Sequence, residues 1–113
     1  KKSSGITWTR LENLSLLGTP DLLGYNHYGH FFTVELKVTR GNKLKFSPHQ
    51  IAFHKTHLKN TFIIAEALGP RSPKLVHMFR GSRISELEAC GLKLEPLARG
   101  LEACSLYLSG LGA

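Results

Sequence analysis

The sequence predicts a single α/β domain with a mixed sheet of about four strands flanked by helices. Two segments predict strands: His30 to Val38 alternates in character with a period of two, and Thr61 to Leu68 is a short apolar run. Between them, Ser47 and Pro48 are typical of a helix start, with serine as the N-cap and proline in the first turn. A strand, a helix and another strand in this order indicate an α/β arrangement.

The composition is that of an ordinary globular domain. Its 113 residues suffice for one core but not for two, and 42% of them are hydrophobic. No apolar run approaches the roughly 20 residues that a membrane-spanning helix needs, so we expect no membrane partner. No secretory signal is visible, and Cys90 and Cys104 lack the spacing of a zinc site. We therefore expect a cytoplasmic protein (host cytoplasm if it is viral) with reduced, partly buried thiols.

Upstream of the alternating segment, the sequence predicts a helix and then a β-hairpin. Trp8 to Leu17 is predicted to be a short helix with an apolar side. Asp21 to Tyr25 is predicted to be a strand, which the turn-prone residues Asn26 to Gly29 join to the alternating segment. Pairing of these two strands would bring Asp21 close to Glu35.

The alternating segment itself is expected to have one apolar face and one polar face. Glu35 and Lys37 would stand side by side on the polar face. The apolar face is expected to point to the core and to carry His30, Phe32, Val34, Leu36 and Val38.

Downstream of Ser47, the chain is predicted to alternate between helices and strands. The elements expected are a helix to about Asn60, the Thr61–Leu68 strand, a strand from Lys74 to Phe79, and a helix from Ser82 to Cys90. Residues 93–113 are predicted to form one further helix, an extension of a core that covers about 8–92. Its apolar side would pack either on the core or on a second subunit, so a homodimer is one alternative.

Three short motifs resemble the PD-(D/E)xK nuclease superfamily. They are Pro20-Asp21, then Glu35-Leu36-Lys37 on the next strand, and Gln50 at the start of the following helix. Glu12 also fits the acidic residue that the family carries on an upstream helix. The resemblance covers roughly residues 8–60 and implies a restriction-endonuclease-like αβββαβ core.

The spelling of these motifs is most similar to one branch of the superfamily. Gly18-Thr19-Pro20-Asp21, with Ser47-Pro48-His49-Gln50 after the lysine, looks most like the VRR-NUC and phage-type branch, which includes Holliday-junction-resolvase-like enzymes. The resemblance implies a DNA endonuclease acting on branched or flapped DNA, in viral or host replication, repair or recombination. Two symmetric cuts in a junction would favour a two-fold dimer.

The chemistry expected at these residues is metal-dependent phosphodiester hydrolysis. Mg²⁺ prefers oxygen ligands and keeps several waters, and Mn²⁺ could substitute for it. We therefore expect Asp21 and Glu35 to be metal ligands, together with the backbone carbonyl of Leu36. Glu12 could hold a second metal ion or a metal-bound water. Lys37 would orient or help deprotonate the attacking water, and Gln50 would position the lysine or a water.

The charge pattern predicts a nucleic-acid partner. Lysine and arginine number 15 against 8 acidic residues, which gives a net charge of +7. The alternative is that the basic charge only keeps the protein soluble. No acidic residue occurs between Lys37 and Asn60, so this stretch could follow a phosphate backbone. The residues expected to contact DNA are Arg10, Arg40, Lys43, Lys45, His54 and Lys55.

Two alternatives to the nuclease stay open: a metal site made of histidines, and a nucleic-acid-binding protein without catalysis. His54 and His57 share a helical stripe with Gln50, and they either contact phosphates or are partly exposed helix histidines. With His27 and His30 they could form a zinc site, although no cysteine or carboxylate completes the set. The alternative function is a basic nucleic-acid-binding module without catalysis. Divalent-metal dependence of strand cleavage distinguishes it from a nuclease.

Overall fold

The computed structural model describes residues 5–11, 18–68 and 75–113. These residues form one mixed sheet with helices on both faces. The elements are β1 (Ile6–Arg10), β2 (Leu22–Asn26), β3 (Phe31–Thr39), α1 (Pro48–Thr56), β4 (Thr61–Ala67), β5 (Leu75–Arg80), α2 (Ile84–Cys90), β6 (Ala98–Arg99) and α3 (Leu101–Ser109). No helix among them is long and apolar enough to cross a membrane.

The sheet follows the chain, with its strands in the order β1 to β6. Neighbouring strands are antiparallel except β3 and β4, which run parallel because α1 carries the chain back between them. The predicted α/β domain with a mixed sheet is therefore confirmed. The described residues contain six strands rather than about four, and β1 and β6 were not predicted.

The first strand corrects the predicted helix over Trp8 to Leu17. Residues 8–10 belong to β1, which pairs antiparallel with β2, and residues 12–17 lie outside the described part of the chain. Trp8 packs edge-to-face on Phe32, with ring centroids 5.5 Å apart, while Thr7 and Thr9 are exposed. The alternation of apolar and β-branched residues from Ile6 is the strand signal that the helix prediction overlooked.

Two apolar clusters lie on opposite faces of the sheet. On one face, α3 packs over a buried cluster of Leu22, Phe32, Val34, Phe62, Ile64, Met78, Cys104 and Leu108. On the other face, the α1 and α2 region packs over Leu44, Phe46, Ile63, Ala65, Phe79, Ile84 and Leu87. β1, β2 and β3 form the rest of this second face. There, Thr7, Thr9, Tyr25 and Phe31 are exposed. We call these four residues, with Leu23 between them, the open half.

The predicted faces of β3 are correct in pattern but not in burial. Phe32 and Val34 point into the core as expected. Leu36 and Val38 are exposed, at 37% and 59%, and the expectation that they are core residues is wrong. Glu35, on the opposite face, is only 3% exposed. Both faces of the strand are therefore covered, but over different parts of its length.

The helix after Ser47 is shorter than predicted. Its cap is confirmed, but α1 ends at Thr56 rather than near Asn60. Asn60 has a φ of 63°, a left-handed conformation that asparagine tolerates, and its side chain bonds the His30 ring at 2.7 Å. This residue turns the chain directly into β4.

The C-terminal region is not the single helix that was predicted. β6 lies between Pro96 and Gly100, and α3 follows it. Cys104 is buried against the sheet, whereas Cys90 is exposed, so the expectation of partial burial fails for Cys90. α3 buries Cys104 and Leu108 on the core of its own chain but leaves Leu101 and Leu106 exposed, and the homodimer stays a prediction.

A buried asparagine joins the hairpin to this helix. The side-chain amide of Asn26 donates to the carbonyls of Leu108 at 2.9 Å and Leu111 at 2.8 Å. Its Oδ1 accepts from the backbone N–H groups of Tyr28 and His30 in the hairpin turn. One side chain thus fixes the turn and holds the end of α3 against it.

Candidate active site

Asp21 stands directly before β2, where the hairpin brings it beside β3. Its backbone carbonyl accepts a bond from Leu11 N at 2.9 Å, and its Oδ2 accepts from Leu36 N at 2.8 Å. The N–H and C=O of one strand residue point to the same side, so the Leu36 carbonyl also faces the side on which Asp21 lies. Continuing the register beyond the Leu22–Val34 pair places Asp21 opposite Glu35, as the sequence predicted.

Glu35 is a buried carboxylate next to a second carboxylate. Burial and, after it, the negative charge of Asp21 raise its pKa from 4.5 to about 8, while the charge of Lys37 opposes the shift. Its Oε2 accepts a bond from Gln50 Nε2 at 2.8 Å. Its Oε1 is buried without a hydrogen-bond partner among the described residues. Glu35 is therefore not an exposed surface residue, although it lies on the polar face of the strand.

Gln50 connects the start of α1 to the acidic pair. Its Oε1 accepts from Ser47 N at 2.9 Å, and its N–H donates to Ser47 Oγ at 3.1 Å, which completes a capping box. The side-chain amide nitrogen of Gln50 donates to Glu35 Oε2. The prediction that Gln50 positions the lysine or a water stays a prediction, and the structure adds a bond from its amide to the glutamate.

Lys37 lies on the same face as Glu35, as predicted from the strand period. It is half-buried, and its Nζ is 5.0 Å from the centroid of the Phe46 ring. An ammonium over an aromatic face is attracted to the ring electrons, so Phe46 restricts the position of the charge. The positive charge of Lys37 opposes the rise in the pKa of Glu35, so it acts on the buried acid.

His54 corrects the prediction of an exposed helix histidine that contacts DNA. The ring is fully buried, and its Nδ1 lies 2.9 Å from the carbonyl of Gln50 one turn earlier. A Cβ at Gly81 would collide with this ring, so the glycine makes room for it. Burial lowers the pKa of His54, which favours the neutral ring. A buried neutral ring offers no contact to a phosphate, but it supports the turn that carries Gln50.

The other residues predicted to contact DNA are on the surface. Arg10, Arg40, Lys43, Lys45 and Lys55 are all exposed. Arg40, Lys43 and Lys45 follow β3 directly, beyond the end that carries Glu35 and Lys37. The structure is compatible with a basic surface near the acidic pair, and contact with DNA stays a prediction.

The donor atoms of the site determine which metal ion it could hold. Among the described residues, no group of three or more His, Cys, Asp or Glu side chains is placed to hold a metal ion, which leaves the zinc alternative without support. Asp21, Glu35 and the Leu36 carbonyl remain as an oxygen set, and Glu12 lies outside the described residues. Because Mg²⁺ retains several waters, this set fits Mg²⁺, and the unpartnered Glu35 Oε1 is a free donor for it.

Comparisons of the chain with family models, with curated proteins and with solved structures found no match. The interpretation of the site therefore depends on its geometry and on the motifs of the sequence.

Proposed function

We propose that this domain is a metal-dependent nuclease of the PD-(D/E)xK type that hydrolyses phosphodiester bonds in DNA. The observation that carries the proposal is the pairing of Asp21 with a buried Glu35. Two adjacent carboxylates repel each other, and burying one of them costs free energy that the charge of Lys37 offsets only in part. An arrangement that is unfavourable for folding alone is typical of a functional site.

The residues that would hold Mg²⁺ are Asp21, Glu35 and the Leu36 carbonyl. When bound there, the ion would polarise the phosphate and lower the pKa of a coordinated water. Glu35 would enter this role ionised, since a cation at its free Oε1 favours the carboxylate over the protonated acid.

Two further side chains have roles that follow from their contacts. Lys37, restrained by Phe46, would hold the attacking water and stabilise negative charge at the phosphate. Gln50 would keep the Glu35 carboxylate in one orientation, because its amide is fixed at the other end by the helix cap.

The element order also supports the proposal. β1, β2, β3, α1 and β4 follow one another as the last five elements of an αβββαβ core do. Glu12 lies outside the described residues, and it follows β1 in the chain, whereas the acidic residue on the family's first helix would precede that strand. A restriction-endonuclease-like core is thus part of the proposal.

For the substrate we propose branched DNA, with a Holliday junction as one candidate, in replication, repair or recombination. The net charge of +7 favours a polyanion, and exposed basic residues follow β3. No feature of the sequence predicts base-specific reading, so shape and backbone contacts would determine selectivity.

The test is cleavage of labelled linear duplex, single strand, flap and four-way junction with Mg²⁺, Mn²⁺ or EDTA. Wild type should cut only with a metal ion, and Glu35→Gln should not cut. Glu102→Gln is the matched control, because it removes the same charge on α3, which packs on the opposite face of the sheet. Salt-sensitive binding without cutting on every substrate would replace the nuclease with the non-catalytic binding module.

A further inference from the structure

Two aromatic side chains of the open half are exposed side by side. Tyr25 and Phe31 are direct cross-strand partners in the hairpin and are 42% and 57% exposed. Their ring centroids are 4.4 Å apart, with the planes tilted by 46°. Cross-strand aromatic pairs stabilise hairpins. That role alone does not account for the exposure of both rings to solvent.

The aromatic pair lies on the same face of the sheet as the acidic pair. Phe31 and Glu35 are four residues apart on β3, so their side chains point the same way, about 13 Å apart along the strand. On β2, Leu23 is the only residue of that face between Tyr25 and Asp21. A continuous path therefore runs from the acidic pair along the hairpin to the two rings.

The border of this path contains no bulky side chain on β1. Thr7 and Thr9, opposite Tyr25 and Leu23, are small, exposed and uncharged. They leave the aromatic rings accessible and supply hydroxyl groups that can bond a sugar-phosphate chain. A planar, apolar group attached to a polar chain matches this surface better than a second protein surface with its own bulky side chains.

We propose that Tyr25 and Phe31 form a stacking platform for an unpaired base of a DNA strand that continues from the acidic pair. The inference rests on the proposed nuclease function and specifies its substrate class: a strand that is single-stranded beside the bond to be cut, as in a flap or an open branch. In a continuous duplex the bases stack on one another, and exposing one costs free energy. Base stacking on an aromatic side chain tolerates any sequence.

The experiment is equilibrium binding of labelled oligonucleotides in EDTA, so that it requires neither metal nor cleavage. The probes are a blunt duplex, the same duplex with a single-stranded tail, and the tail strand alone. Wild type should bind the tailed duplex about tenfold more tightly than the blunt one. The double variant Tyr25→Leu/Phe31→Leu should lose that preference, with the salt dependence unchanged because no charge is altered.

Two control variants make the result specific. Tyr28→Leu removes an exposed aromatic ring from the turn of the same hairpin, outside the paired strands, and should bind as wild type does. Phe31→Tyr keeps an aromatic face and should keep the preference for the tail. Thermal unfolding of each variant checks that the hairpin is intact, and the Phe31→Tyr result carries the test if leucine destabilises the fold.

The outcomes separate this inference from the nuclease proposal. Equal binding of blunt and tailed duplex, or an equal loss in Tyr28→Leu, would overturn the platform. Loss of a dimer in the double variant, with unchanged DNA binding, would overturn it in favour of a protein contact. Metal-dependent cutting that is unchanged in the double variant would reject the platform alone. Tail-selective binding without cutting would support the platform and reject the nuclease.

Discussion

One face of the sheet has two halves that differ in almost every respect. Over β4 and β5, Ile63, Ala65 and Phe79 are at most 1% exposed, beneath the α1 and α2 region. Over β1, β2 and the start of β3, threonines and aromatic rings face solvent. Glu35 lies at the boundary, where α1 removes it from water on one side. Glu35 is therefore desolvated at the place where the helix cover ends and the exposed part of the same face begins.

The largest effect on stability is expected in the covered half. Phe79→Ala removes a fully buried ring and should lower the free energy of unfolding by about 3–5 kcal/mol. Chemical denaturation measures it. Phe31→Ala, in the open half, is the matched control and should cost much less, because its ring is already 57% exposed. Equal losses would mean that the two halves do not differ in packing.

Substitution of Glu35, at the boundary between the two halves, should lower activity rather than stability. Glu35→Gln should lower metal-dependent cleavage by at least about a hundredfold, since it removes a metal ligand. The same change should leave the metal-free protein as stable as wild type or more stable near pH 8, because it removes a buried charge. Cleavage assays and denaturation on one preparation test both. A large loss of stability would instead make Glu35 a structural residue.

A smaller effect is expected from the side chain that holds Glu35. Gln50→Leu should weaken Mg²⁺ binding by about 10–100-fold, because the carboxylate loses its orienting bond. Ser47→Ala is the control: it removes the helix cap, at about 1 kcal/mol of stability, but leaves the Gln50–Glu35 bond. Titration calorimetry distinguishes the two variants. Equal weakening by both would show that the cap, rather than the bond to Glu35, matters for the metal.

The smallest expected effect is the pH dependence of the stability that Glu35 contributes. With its folded-state pKa raised to about 8 from 4.5, Glu35 holds a proton in the folded chain that the unfolded chain has released. This contribution to stability is complete below about pH 4.5 and is lost as the pH rises to about 8.

The comparison with Glu35→Gln isolates this contribution. The lowered pKa values of His54 and His77 act in the opposite sense, since their unfolded forms take up protons first as the pH falls. Both proteins share these histidines, so the stability of wild type minus that of the variant should fall steadily through the window. Denaturation at several pH values checks it, and a flat difference would contradict the raised pKa. Added Mg²⁺ should restore wild type at the alkaline end.

Local pattern was sufficient to predict the part of the site that lies on consecutive elements. Alternation predicted that Glu35 and Lys37 share a face, the hairpin signals brought Asp21 to them, and the Ser47-Pro48 start placed Gln50 at the head of α1. Each of these depends on residues that are close in sequence. The chemistry assigned to them stays a prediction.

What the sequence did not predict depends on packing between distant segments. The burial of Glu35 and of His54 depends on which face of β3 α1 covers, and on the space that Gly81 leaves. The two-residue β6 exists because β5 offers an edge to pair with. β1 was missed for a different reason, since the spacing of Trp8, Leu11 and Leu14 fits a helix as well as alternation fits a strand.

The side chain of Asn26 imposes an order on folding. Its partners Leu108 and Leu111 lie 82 and 85 residues further along the chain, so the hairpin turn gains these bonds only after almost the whole molecule has assembled. Contacts of such long sequence separation form late, because the entropy of closing the loop must be overcome first. We therefore expect the turn that joins β2 and β3 to gain its two bonds to Leu108 and Leu111 late in folding, after its local bonds to Tyr28 and His30.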